Sequence, residues 1–211
     1  MVPKNKNLKK YIKMITETEF GEILNLFNEG LQKEMQTHKQ KLPYACCLST
    51  EGLDGFPNAR FVSLKEIRNG EFIITGTITS RKGDEINKNH KVALTFWWPE
   101  TQQQVRIQGI AEPISGPVLD VYFGERNRES QIVSVVSDQG KELNELEELV
   151  LKFDAVANNP EISEIQRPDN WGGYAIAPIR IEFLVFSESR FHDRTLYERN
   201  GQLWQKRRLQ P

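Results

Sequence analysis

Five residues near the C-terminal end, Arg190-Phe191-His192-Asp193-Arg194, set two guanidinium groups on either side of an imidazole. On a strand, Arg190, His192 and Arg194 share one face, and Phe191 and Asp193 share the other. Like charges so placed repel one another unless an anion sits among them. The planar fork of arginine suits phosphate or carboxylate, and the imidazole can donate a hydrogen bond or carry a proton. The alternative is an ordinary exposed strand face whose charge is dispersed by Asp193 and nearby glutamates.

Other groups of the same character occur earlier in the chain. Ser80-Arg81-Lys82 puts two cations at a helix start, against the helix dipole, at a cost of about 0.3–1 kcal/mol each. A bound phosphate would reverse that cost and satisfy the free N–H groups of the first turn; a solvated pair would simply bear it. Tyr122, Arg126 and Ser130 are spaced by four, so Tyr122 and Arg126 share a helix face. They make either a phosphate clamp with an aromatic wall or a plain helix surface. Arg60 and Lys65, five apart, fall on opposite faces of a regular strand and share a ligand only if the strand bulges, twists or ends. Gln103 and Gln104 open a later alternating run. His38 and His90 stand alone, and no His/Cys spacing suits a metal.

These groups need elements to hold them. Thr16 to Glu19 has the form of a capping box, with Ile15 and Phe20 as its staple, and Phe20, Ile23, Leu24, Phe27 and Leu31 continue a helix to about His38. Strands are expected over 44–50, 58–67, 71–75, 92–98 and 104–112, with a hairpin at Asn69-Gly70. Short helices are expected over 80–88, 115–126 and 130–137, Ser80 capping the first. Leu143, Leu146, Val150, Phe153 and Ala157 mark a further helix. Three strands, 174–177, 181–187 and 191–198, then lead to a hairpin at Asn200-Gly201 and a last strand, 202–207. The pattern is mainly β, of α+β type: an antiparallel barrel with peripheral helices.

A chain of 211 residues can bury a core without staples. Residues 1–15 read as a mobile arm and 16–211 as one domain. The net charge of −1 leaves no nucleic-acid footprint, and no apolar stretch approaches the length of a membrane span. Cys46 and Cys47 are adjacent, hence poorly placed to bridge, and read as structural thiols in a reducing cytoplasm.

Taken together, and in this order, the pieces resemble the pyridoxamine 5′-phosphate oxidase family over about 43–211. The matching residues are Ala59-Arg60 with Lys65, Ser80-Arg81-Lys82, Gln104, Tyr122-Phe123 with Arg126 and Ser130, Gln139, Trp171-Gly172-Gly173, Arg190 to Arg194, and Arg208-Leu209-Gln210-Pro211. The resemblance implies an FMN-binding split β-barrel that forms a homodimer with FMN at the subunit interface. It implies oxidation of pyridoxamine or pyridoxine 5′-phosphate to pyridoxal 5′-phosphate, with dioxygen as acceptor and peroxide as by-product. It assigns FMN to Arg60, Lys65, Thr75, Gly76, Arg81, Lys82, Gln104, Gln139, Gly140, Leu184 and Arg194. It assigns the phosphorylated pyridine substrate to Lys65, Tyr122, Arg126, Ser130, Arg190 and His192, with Arg190 and His192 over the reacting ring. Thr75-Gly76, Gly140 and Leu184 depart from the family pattern of Tyr-Thr, Ser and Trp. A phenazine-biosynthesis-type oxidase and a non-catalytic flavin- or haem-binding split barrel are the alternatives.

Overall fold

A computed structural model describes residues 13–15, 17–39 and 41–211. The chain runs β1 (Lys13–Ile15), α1 (Glu17–Gln36), β2 (Ala45–Glu51), β3 (Pro57–Arg68), β4 (Glu71–Thr77), α2 (Arg81–Lys88), β5 (Lys91–Trp98) and β6 (Gln103–Pro113). It continues with α3 (Val118–Gly124), α4 (Arg128–Val136), α5 (Leu146–Ala157), β7 (Trp171–Val185), β8 (Asp193–Asn200) and β9 (Leu203–Arg208). The sheet order is β1-β9-β8-β7-β4-β3-β2-β5-β6, and β6 also pairs with β7. That last pairing closes β7-β4-β3-β2-β5-β6 into an antiparallel barrel of six strands, with β8, β9 and β1 continuing from it.

Closure depends on the length of β7, 15 residues. The sequence reading broke this stretch into two strands around Pro178. The structure corrects it to one, because a bulge just after the proline lets the strand continue past it. Gly109 pairs with Pro178 and Gln108 with Arg180, which leaves Ile179 as the extra residue. Gly109 belongs there for a steric reason: a Cβ would lie 2.5 Å from the Ala177 carbonyl oxygen. At Asn69-Gly70 both residues have positive φ, 53° and 82°, as the expected tight hairpin requires.

α1 plugs one end of the barrel. Ile23, Phe27 and Leu31 are buried along one stripe, and Phe27 meets Phe72 and Phe96 edge to face. Full burial of one such ring contributes roughly 2–3 kcal/mol. The buried Glu34 carboxylate accepts the backbone N–H groups of Glu100 and Thr101 and the Thr101 hydroxyl, fixing α1 to the β5–β6 turn. A second apolar cluster, including Ile73, Tyr122, Phe123, Ile132 and Trp171, holds α3 and α4 against the opposite side of β4 and β7.

Two expectations need further comment. The arm expected over 1–15 ends as a strand, with Lys13 to Ile15 pairing with Lys206 to Trp204; the open edge of β9 supplies unpaired backbone groups for it. Residues 1–12 and the capping box, which needs Thr16, lie outside the described residues. Cys46 and Cys47 are both free; alternation along β2 buries the first and leaves the second half-buried.

Candidate functional site

The helix start at Arg81 forms one wall of a cleft of about 410 Å³. β3 contributes Arg60, Phe61 and Val62, and β4 contributes Thr75, Gly76 and Thr77. Lys82, Arg126, Ser134, Gln139 and Trp171 complete most of the lining. Lys82 Nζ donates to the Thr77 carbonyl (3.0 Å), Ser80 Oγ (2.7 Å) and Gln139 Oε1 (2.8 Å), all neutral acceptors. Burial, and then the charge of Arg60, push its pKa down to about 8. Ser80 sits at the N-cap as expected, but its hydroxyl does not cap. It donates to the Thr77 carbonyl and accepts from Lys82 instead.

Behind the cleft lies a residue the sequence reading missed. The fully buried Glu85 carboxylate accepts from Thr50 Oγ1 (2.6 Å), Asn58 Nδ2 (2.8 Å), Arg60 Nη2 (2.7 Å) and Arg81 Nε (2.9 Å). Burial alone would raise its pKa; the bonds from Thr50, Asn58, Arg81 and Arg60 outweigh burial and hold it down at about 2. Glu85 therefore aims Arg60 and Arg81 from a buried anchor. The available signal was its i, i+4 spacing from Arg81.

The expected clamp is split. α3 ends at Gly124, before Arg126, so Tyr122 and Arg126 do not share a helix face. The Tyr122 hydroxyl donates to Glu66, and desolvation, then that bond, push the phenol up to about 12. Lys65 is the extra residue in a β3 bulge, between Leu64 opposite Ile74 and Glu66 opposite Ile73. The bulge is the feature the sequence reading required, yet Arg60 and Lys65 keep different partners. Lys65 Nζ pairs with Glu125 at 2.5 Å and lies 5.4 Å from the Tyr122 ring centroid. Arg126 instead donates to Ser134 Oγ (2.6 Å) and sits over the Trp171 ring. Ser130 enters through its backbone, donating to the Asn127 cap. Ser134, Glu66 and Glu125 had no local pattern to mark them.

The C-terminal segment is corrected most. β8 begins only at Asp193, so Arg190, His192 and Arg194 do not share a strand face. A turn intervenes: Arg190 N–H donates to the Ser187 carbonyl, and Arg190 has φ of 67°. His192 Nδ1 accepts from the Ser187 N–H (3.0 Å), which bends the segment back. Arg190 is exposed, and its guanidinium has no bond or ion pair among the described residues. Arg194 Nε pairs with buried Glu182 at 2.8 Å. Gln104, Leu184 and Arg194 form a row in register across β6, β7 and β8. None of these three, nor Arg190 or His192, lines the cleft. Gly140 lies in a turn with φ of 85°, where a side chain would be strained. Of the expected site residues, Arg60, Thr75, Gly76, Lys82, Arg126 and Gln139 thus line the cleft, and Lys65, Arg81, Gln104, Tyr122, Ser130, Gly140, Leu184, Arg190, His192 and Arg194 do not.

Residues 31–159 match the family model described as pyridoxamine 5′-phosphate oxidase. Residues 171–211 match that of the pyridoxine 5′-phosphate oxidase C-terminal dimerisation region. A pyridoxine/pyridoxamine 5′-phosphate oxidase of Leptospira biflexa is 40% identical over 169 residues, 80% of each chain. One of Thermosynechococcus vestitus is 42% identical over 170 residues, again 80% of each. Among solved structures, PhzG from Burkholderia lata 383, in complex with tetrahydrophenazine-1-carboxylic acid, superposes with a TM-score of 0.84 at 28% identity, covering 92% of this chain and 96% of that one.

Proposed function

The chain belongs to the pyridoxamine 5′-phosphate oxidase family, and on that premise we propose that it oxidises pyridoxamine or pyridoxine 5′-phosphate to pyridoxal 5′-phosphate, with FMN as cofactor and dioxygen reduced to peroxide. It is an FMN-dependent oxidoreductase and a homodimer. The observation that carries this reading is the cleft beside α2. A half-buried lysine held only by neutral acceptors, with Arg60 behind it, is a place built for an anion. The residues there fit the FMN phosphate: Lys82 and Arg60 would supply charge, and Thr75, Gly76 and Gln139 would supply backbone or amide contacts, while Arg81, held by Asp54 and Glu85, and Gly140 lie outside the lining.

Bound FMN supplies a two-electron acceptor for the substrate carbon and a route for those electrons to dioxygen. The protein's own work is positioning and exclusion of water. Tyr122, Lys65, Arg126 and Ser130 hold the substrate phosphate. Arg190 and His192 orient the pyridine ring. Gln104, Leu184 and Arg194 border the flavin. The last two groups lie apart from the cleft in one chain, and most of their members fall within the dimerisation region, 171–211. Pairing of two chains offers the way to bring each cleft against the partner's row. The exposed Phe61 ring on the cleft wall, 79% accessible, is consistent with a surface that a second chain covers.

The decisive experiment is anaerobic flavin bleaching of the FMN-loaded protein with either B6 phosphate; no bleaching overturns the proposal. Bleaching with a dihydrophenazine instead would favour the phenazine-type reading, and a protein that stays colourless in excess FMN would sink both. A pH titration tests the cofactor site. Lys82 loses its charge as pH rises through about 8, so the Kd for FMN should rise by up to about tenfold per pH unit above that point. A Kd that is flat from pH 7 to 9 removes Lys82 from the phosphate. Among the described residues no helix is long and apolar enough to cross a membrane. The free thiols support a cytoplasmic location.

A further inference from the structure

The two donors nearest the bulge in β3 are already engaged by carboxylates. Tyr122 donates its hydroxyl to Glu66, and Lys65 gives its ammonium to Glu125 at 2.5 Å. Arg68 also approaches the Tyr122 ring, 5.8 Å from its centroid. Two cations and one phenol thus face two carboxylates in a place where a phosphate would draw on the same hydrogens. One acceptor per donor is the limit for the phenol, which has a single O–H.

We propose that Glu66 and Glu125 set the affinity of the substrate-phosphate site: they are resident competitors that must release Tyr122 and Lys65 before the phosphate can take them. This inference rests on the assignment of Lys65, Tyr122, Arg126 and Ser130 to that phosphate. The physical sequence is an exchange of anions. Glu125 is 55% exposed at its side chain and can swing into water, where its charge is well solvated. Glu66 is also exposed, but sits next to the bulged residue on the same strand, so its retreat is shorter and its repulsion of a nearby dianion persists. Affinity for phosphate is thereby kept below what the two bare donors would give. A ligand bearing the pyridine ring gains contacts elsewhere that inorganic phosphate lacks. The pair of carboxylates weakens both ligands by a similar factor, so free phosphate seldom occupies the site while the whole substrate, with its ring contacts, still binds.

The test uses the FMN-loaded dimer, so that the cofactor's phosphate site is filled. Inorganic phosphate is titrated calorimetrically into the wild type, Glu66→Gln and Glu125→Gln, and KM and kcat are measured with pyridoxine 5′-phosphate. Each substitution should tighten phosphate binding and lower KM by about five-fold, as for a surface charge contact, with the change falling on KM rather than kcat. Unchanged or weaker phosphate binding in both variants overturns the proposal and makes the carboxylates mere supports for Tyr122 and Lys65. Absence of phosphate binding in all three proteins overturns it as well. Flavin bleaching by the B6 phosphate then decides separately whether the oxidase assignment stands. FMN content and melting temperature report folding of each variant, and the exposed Glu125 gives a result that stands without Glu66.

Discussion

Glu85→Ala should lower stability by about 3–5 kcal/mol, the cost of leaving a largely buried charge without its partner. Arg60 would lose its counter-ion while its side chain stays 22% exposed, and Thr50 and Asn58 would each lose an acceptor. Arg81 is more than half exposed and adds little to the loss. For a chain of this size the melting temperature should fall by about 10 °C. The pH dependence has a definite sign. A carboxylate with a depressed pKa stabilises the fold above its unfolded value, about 4.3, and that stability disappears as pH falls toward the folded value of about 2. The gap between wild type and variant should therefore be full at pH 7 and shrink between pH 4 and 2. Thermal unfolding at both ends of that range checks it, and a variant melting within 2 °C of wild type at pH 7 would refute it. Weaker FMN binding should accompany the loss, because Arg60 lines the cleft.

Arg190→Leu should cut kcat by on the order of 100-fold, the scale of lost positioning at a reacting centre, and leave the Kd for FMN within about two-fold. The residue stands on exposed backbone at φ 67°, a conformation that costs a non-glycine residue on the order of 1 kcal/mol or more. Strain retained at one exposed arginine is a reason to look for function there. A glycine in its place should relieve the strain, so Arg190→Gly should be at least as stable as wild type while turning over as poorly as Arg190→Leu. Steady-state kinetics, FMN titration and melting temperature together test this. Equal losses in turnover and FMN affinity would put Arg190 on the cofactor instead of the substrate.

Local signals carried much of this fold. Asn69-Gly70 marked its hairpin because few residue pairs accept two positive φ values. The spacing of Ile23, Phe27 and Leu31 marked α1 because a single stripe faces the core. Pro178 misled because its usual meaning, a strand break, is set aside where a bulge at the next residue, Ile179, carries the ladder past a residue with no N–H. The segment at Arg190 misled for a related reason: alternation of residue types was read as a strand face, but a turn and the Ser187–His192 bond take the backbone elsewhere. Arg81 and Lys82 were legible as cations set against the helix dipole, which left an anion site and a solvated pair both open. Glu85, which anchors Arg81 and Arg60, was not singled out, although it lies one turn from Arg81. The row of Gln104, Leu184 and Arg194 was beyond any local reading, since its members meet only through pairings between distant strands. For those residues the ordered motifs of the family resemblance supplied what periodicity lacked.

The pairing of β6 with β7 also bears on when the site comes into being. It joins Gln103 to Val185, positions about eighty residues apart, so a large loop must close before either strand gains its partner. Hairpins such as β3–β4 and β8–β9 form from neighbours and need no such closure. A refolding chain would accordingly regain most of its secondary structure well before Gln104 stands beside Leu184. On the proposed assignment of that row to the flavin, flavin capture should be a late kinetic event, a reporter of barrel completion rather than of collapse.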